Sequence, residues 1–130
     1  MIVVDASVLA PALGDDARDG DRARARLRGE QLVAPHLIDL EVTSVWRRQL
    51  AGGRLDTRRA ELALADLATL PLRRAAHVDL LPRCWQLREN LRPYDAAYVA
   101  LAEVLDATLV TADQRLAHAP GSRCTVELLA

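Results

Sequence analysis

Lysine is absent from this chain; all 17 basic residues are arginine. Without lysine there is no P-loop nucleotide site, no pyridoxal Schiff base and no receiver-type pocket pairing acids with a lysine. A high-GC coding sequence explains the arginine bias most simply. Phenylalanine is absent too, and the aromatic residues are Trp46, Trp85, Tyr94 and Tyr98, too few for a base-stacking platform. Cysteine is limited to Cys84 and Cys124, far apart and near no histidine at zinc-ligand spacing, so reduced thiols are expected. His36, His77 and His118 share no ligand or triad spacing and read as structural or exposed. No apolar run approaches membrane-spanning length, and no basic segment precedes a long apolar stretch at the amino terminus. A cytoplasmic protein with no membrane partner is the expectation. Neither sign of charge dominates, since the formal net charge is −1. That removes an overall basic field without excluding local arginine clusters that contact phosphates.

What the chain does have is a core. Its 130 residues are 51% hydrophobic, which suits one domain spanning residues 1–130. Ile2 to Asp5 reads as a short buried strand, and Val8-Leu9-Ala10 opens a helix that Pro11 enters early or bends. Gly14 to Gly20 is acidic and turn-rich and reads as a surface loop. Arg18–Arg28 predicts a helix and Gln31–Ala34 a strand. Leu37–Leu50 predicts a helix stopped by Gly52-Gly53, and Thr57–Leu70 another, with Leu62, Ala63, Asp66, Leu67 and Leu70 at helical spacing. Leu72–Ala75 follows as a brief strand. Asp79 is a candidate cap for a helix reaching about Leu91. Tyr94–Leu105 is a further helix after Pro93, Thr108–Thr111 a strand, and Asp113 caps a short helix through His118. Cys124–Glu127 is the expected last strand. Strands separated by helices favour an α/β fold, with a mainly parallel sheet covered on both faces.

Four acids stand out against this pattern. Asp5 closes the apolar run Ile2-Val3-Val4, and Asp113 follows Leu109-Val110-Thr111-Ala112. In such sheets ligands sit beyond the carboxyl ends of strands. Glu41 has Leu37, Ile38, Ser44 and Val45 at helical offsets, and Asp95 has Tyr98 and Val99, so both point toward the core side. A carboxylate is costly to bury alone. Two unit charges about 4 Å apart repel by roughly 4 kcal/mol at an effective dielectric near 20, so converging acids need relief. Shared protons offer one route. Hard oxygen ligands without clustered histidine or cysteine suit magnesium or manganese better. Each acid also has an ordinary reading. Asp113 and Asp95 serve helix starts equally well, and Glu41 has Arg48 further along its face as an ion-pair partner.

At these positions the chain resembles the PIN-domain nucleases, most closely the VapC-type ribonuclease toxins of prokaryotic toxin–antitoxin pairs. The matching stretches are Ile2-Val3-Val4-Asp5-Ala6-Ser7, then Val33-Ala34-Pro35 leading through Leu40-Glu41-Val42. Tyr94-Asp95-Ala96-Ala97-Tyr98-Val99-Ala100-Leu101-Ala102 and Leu109-Val110-Thr111-Ala112-Asp113 complete the ordered set. The resemblance implies a three-layer α/β/α sandwich and RNA cleavage that depends on Mg²⁺ or Mn²⁺ and leaves a 5′-phosphate and a 3′-hydroxyl. It implies that Asp5, Glu41, Asp95 and Asp113 are the catalytic, metal-binding acids, with Asp5 and Asp95 central. Ser7 and Thr111 then support the site. It also implies a homodimer and a cognate antitoxin whose tail lies over the active site. The helices around Leu37–Leu50 and Thr57–Leu70 are the candidate groove, unless their apolar residues are all core.

Arg47 and Arg48, close in sequence to Glu41, are candidate substrate-binding residues. Arg18, Arg22, Arg24, Arg26 and Arg28 read either as phosphate contacts or as a solvated face offset by Asp15, Asp16, Asp19 and Asp21. Trp46 and Trp85 read as packing residues, with a dimer surface as one possible place for them. The primary reading is a metal-dependent endoribonuclease toxin. A PIN-type nuclease of RNA processing or DNA cleavage is the enzymatic alternative, and a non-catalytic PIN-like interaction domain is the other. An intact set of four acids argues against the last. A phosphohydrolase with an Asp-X-Asp nucleophile is excluded, because Asp5-Ala6-Ser7 lacks the second aspartate.

Overall fold

The computed structural model describes residues 1–130. β1 (Ile2–Val4) is short, and all its side chains are buried, as a strand covered on both faces requires. β2 (Leu32–Pro35) and β4 (Thr108–Thr111) flank it in parallel, with Val3 opposite both Val33 and Leu109. β3 (Leu72–Ala75) and β5 (Val126–Leu128) form the edges, so the parallel sheet has the order β3-β2-β1-β4-β5. The winding direction reverses between β1 and β4. That reversal opens a crevice beyond the carboxyl ends of the two central strands.

α1 (Ala6–Gly14) packs against α2 (Arg18–Leu27), α3 (Ile38–Ala51) and α4 (Thr57–Thr69) as one helical layer. α6 (Pro93–Leu105) lies across β1, β2 and β4, with α5 (Leu81–Gln86) against it, as the other. α7 (Gln114–Ala117) is a single turn between β4 and β5. The result is a three-layer α/β/α sandwich whose buried apolar residues form one continuous cluster, including Val3, Leu9, Ile38, Val42, Val99 and Leu109. No helix is long and apolar enough to cross a membrane. Both cysteines are free.

Several local expectations need correction. The acidic loop is shorter than the expected span from Gly14 to Gly20: α1 runs to Gly14, only residues 15–17 lie outside a helix, and Gly20 is buried within α2, which starts at Arg18 as expected. A Cβ on Gly20 would stand 1.8 Å from the Asp15 carbonyl oxygen, so the close approach of this helix to the end of α1 requires glycine. Pro11 sits inside α1, which continues past it. The expected helix from Asp79 to Leu91 is instead a 3₁₀ turn (Val78–Leu80) followed by α5, neither with a side-chain cap. Beyond Gln86 the chain curls to bury Leu87 and Leu91. β5 begins two residues later than Cys124, because its register places Val126 opposite Leu109 and Leu128 opposite Thr111. Trp46 is a core residue whose Nε1 donates to the Ala10 carbonyl at 3.2 Å, tying α3 to α1. Leu62, expected on the inner face of α4, is exposed, while Ala60, Ala63 and Leu67 carry the packing.

Candidate active site

The site is built from the ends of elements. Asp5 follows β1 and caps α1, with its Oδ1 accepting from the Ser7 amide at 3.1 Å and the Ser7 hydroxyl at 2.6 Å. Its Oδ2 accepts from the Thr111 hydroxyl at 2.6 Å, across the β1–β4 junction. Ser7 Oγ and Thr111 Oγ1 stand 3.3 Å apart, and each also accepts a backbone amide, from Ala112 at 2.8 Å and Asp113 at 3.0 Å respectively. The two supporting hydroxyls thus lock the first acid to the loop that carries the last.

Asp5 is only 5% exposed and has no arginine in contact. Burial pushes its pKa up to about 6. The hydroxyl hydrogen bonds from Ser7 and Thr111 oppose that shift, while the negative charge of Asp113 adds to it.

Glu41 lies in the first turn of α3, where its Oε1 accepts from the Tyr98 hydroxyl at 2.5 Å. Tyr98 sits on α6, one turn after Asp95, and is buried. Burial raises the Glu41 pKa; the Tyr98 hydrogen bond lowers it and the nearby charge of Asp95 raises it. Burial, reinforced by Glu41, Asp5 and Asp95, holds the Tyr98 hydroxyl in its neutral, donating form. Arg48 does not pair with Glu41 and donates to Ser44 Oγ instead.

Asp95, in the first turn of α6, meets two guanidinium groups: Arg115 Nη2 at 3.0 Å and Arg92 Nε at 3.9 Å from its Oδ2. Asp113 caps α7 by accepting from the Arg115 amide at 2.9 Å and the Leu116 amide at 3.4 Å. Its other oxygen stands 3.4 Å from Arg115 Nη2.

All four predicted acids therefore gather at the carboxyl end of the sheet, and Ser7 and Thr111 bind one of them directly. No three of the chain's acids, histidines and cysteines form a ready-made metal cage. Asp5 is held by hydroxyls, Glu41 by Tyr98, and Asp95 with Asp113 by Arg115. The donor set nevertheless fits a hard divalent cation. It is all oxygen, and it contains a nearly fully buried carboxylate without a cationic partner.

Arg47 and Arg48 are exposed on α3 and bond to none of the four acids. In the arginine-rich stretch, Arg24 donates to the Ala12 and Asp15 carbonyls and Arg26 to both oxygens of Glu127, so these two brace the fold. Tyr98, Arg92 and Arg115 are site residues that sequence reasoning did not single out. Only Tyr98 left a signal there, as a polar-tipped residue one helical turn after Asp95.

Comparison with known proteins places the chain in a family. The PIN domain model matches residues 2–122. A VapC ribonuclease of Mycobacterium bovis is 41% identical over 129 residues, 99% of this chain and 98% of that protein. Ribonuclease VapC1 of Mycobacterium tuberculosis is 40% identical over 128 residues, 98% of this chain and 96% of that protein. Among solved structures, the sarcin-ricin loop cleaving toxin VapC20 of Mycobacterium tuberculosis has a TM-score of 0.70 at 17% identity, covering 89% of this chain and 92% of that one. A toxin–antitoxin complex from Klebsiella pneumoniae has a TM-score of 0.68 at 19% identity, covering 100% of this chain and 98% of that one. At those identities the structures speak for the fold alone. The family model and the mycobacterial relatives span nearly the whole chain, and the chain belongs to the PIN-domain family, among its VapC ribonucleases.

Proposed function

We propose that this protein is a metal-dependent endoribonuclease, the toxin of a toxin–antitoxin pair, with Asp5, Glu41, Asp95 and Asp113 holding Mg²⁺ or Mn²⁺. The observation that carries this reading is Asp5: a carboxylate buried at the sheet's switch point, fixed by two hydroxyls and facing other acids without a counter-charge. Such an arrangement is costly unless a cation completes it.

When bound, the cation supplies Lewis-acid stabilisation of phosphate oxygens and acidifies water. The chain's own residues do the positioning. Ser7 and Thr111 fix both oxygens of Asp5, and Tyr98 orients Glu41. Asp95 and Asp113 supply the remaining negative charge from α6 and the α7 cap. Water attacks phosphorus in line, the bond to the 3′ oxygen breaks, and the attacking water's proton passes to a carboxylate of the cluster. The leaving 3′ oxygen takes a proton from solvent water, giving a 3′-hydroxyl and a 5′-phosphate. Arg92, Arg47 and Arg48 are exposed and would meet RNA phosphates, Arg92 from its place beside Asp95.

The partner is a cognate antitoxin, and the assembly is a homodimer bound to it. Supporting this, the Klebsiella pneumoniae neighbour is a toxin–antitoxin complex, and α3 and α4 leave Leu40, Leu50, Leu62 and Leu64 exposed as apolar anchors. The deciding experiment is cleavage of a panel of structured RNAs with Mn²⁺ or Mg²⁺, with and without EDTA, using wild type, Asp5→Asn and Asp95→Asn. Cutting by wild type alone, abolished by EDTA, is expected. Equal cutting by the variants, or cutting indifferent to EDTA, would overturn the site.

A further inference from the structure

The four acids are not treated alike by the rest of the chain. Asp5 and Glu41 are held by neutral donors only, whereas Asp95 and Asp113 share one cation, the guanidinium of Arg115. Asp95 is just 13% exposed at its side chain, so this pairing stands at the rim of the site. Arg115 reaches it by a short path. Its backbone amide is pinned by Asp113 Oδ1 at 2.9 Å, and Nη2 then lies 3.4 Å from Asp113 Oδ2 and 3.0 Å from Asp95 Oδ2. No other hydrogen bond holds the guanidinium, and the side chain is 56% exposed. It is therefore anchored at its base, and at its tip only the two acids hold it.

We propose that Arg115 is an internal counter-ion that competes with the divalent cation for Asp95 and Asp113 and swings away when the cation binds. This rests on the metal-dependent reading above and adds a device to it. The guanidinium draws the two acids together across the α6–α7 junction, so the site stays assembled without metal. A guanidinium and a dication on the same oxygens repel each other, so Arg115 also weakens cation binding and sets the concentration at which the site fills. Arg92 cannot substitute, because it stands 3.9 Å from Asp95 and makes no contact with Asp113. Arg115 is on this account a positioning residue, acting on the acids rather than on RNA.

The test is Mn²⁺ binding to the intact protein, followed by the electron paramagnetic resonance signal of free Mn²⁺. Wild type, Arg115→Ala, Arg115→Gln, Arg115→Lys and Asp95→Asn are compared at low salt, with folding checked by circular dichroism. Arg115→Ala and Arg115→Gln are expected to bind roughly three- to tenfold tighter than wild type, the size of a lost partly exposed charge contact to a dication. Arg115→Lys keeps the charge and stays close to wild type. The gap between wild type and Arg115→Gln narrows as salt is raised. Equal or weaker binding by a folded Arg115→Gln, beside clear binding by wild type, overturns the role given to Arg115 and leaves the metal site standing. Failure of wild type to bind more Mn²⁺ than Asp95→Asn removes the metal reading itself, and this inference with it.

Discussion

Asp5 carries a titration whose sign can be worked out. Its pKa is about 6 in the fold against 3.8 in the unfolded chain. Between those values the folded state holds a proton that the unfolded chain has released, so rising pH weakens the fold until Asp5 is fully ionised. In EDTA, wild-type stability should therefore fall by up to about 3 kcal/mol between about pH 4 and pH 6 from this group. Asp5→Asn should lack that fall while losing RNA cleavage. Denaturation by urea across that pH range checks both; parallel curves for the two proteins would refute the buried-charge account. Tyr98 offers a second prediction at this scale. Tyr98→Phe removes the hydroxyl that donates to Glu41, costing about 1–2 kcal/mol of stability. It also loosens the support of a proposed metal ligand, for which cleavage should drop about tenfold. Unchanged turnover in Tyr98→Phe would show that Glu41 needs no such orientation.

At the scale of elements, the α1–α2 corner is the most sharply defined feature. Gly20 meets the Asp15 carbonyl, and Arg24 donates to the same carbonyl at 2.7 Å, so the helix turns around one oxygen. Gly20→Ala should destabilise by about 3 kcal/mol, the upper range for overpacking, because backbone rather than a flexible side chain must give way. Equilibrium unfolding measures it, and a change below about 0.5 kcal/mol, ordinary for surface sites, would mean the corner relaxes freely. From sequence the loop at this corner extends through Gly20, since glycine and clustered aspartates resemble turn chemistry, whereas only residues 15–17 are outside a helix. Nothing local signals that Gly20 faces another helix. The strands were easier to read. β1 and β2 are short uniformly buried runs and β4 is buried after Thr108, and their boundaries emerge within a residue or so from the local sequence. β5, with every residue only half-buried, was displaced because its limits follow pairing with β4 rather than its own composition.

For the whole molecule, the balance of charge is local rather than global. Bidentate pairs from Arg26 to Glu127, Arg74 to Asp39 and Arg83 to Glu103 brace the edges of the sandwich. On the proposed function, the acids at the sheet's carboxyl end are the part of the molecule that a dication would neutralise. Mn²⁺ at about 100 times its dissociation constant should stabilise the protein by about 2.7 kcal/mol. For a chain of this size that raises the melting temperature by about 8 °C. EDTA should reverse the shift, and Asp5→Asn or Asp95→Asn should abolish it. A wild-type melt indifferent to Mn²⁺ would count directly against a cation at this place.

Amino-acid order alone sets the alternation of strands and helices and marks Asp5, Glu41, Asp95 and Asp113 as acids set against apolar surroundings. Those are properties of periodicity and composition, and they are readable within a few residues of each acid. Which group holds each acid depends on how the layers pack. Thr111 reaches Asp5 across 106 positions, Tyr98 reaches Glu41 across 57 and Arg115 reaches Asp95 across 20. Partners so distant in the chain meet only because the sheet order sets β1 beside β4 and lays α6 across both. Local preference places an acid at a strand end or on a helix face; the packing of layers decides which hydroxyl or guanidinium stands opposite it.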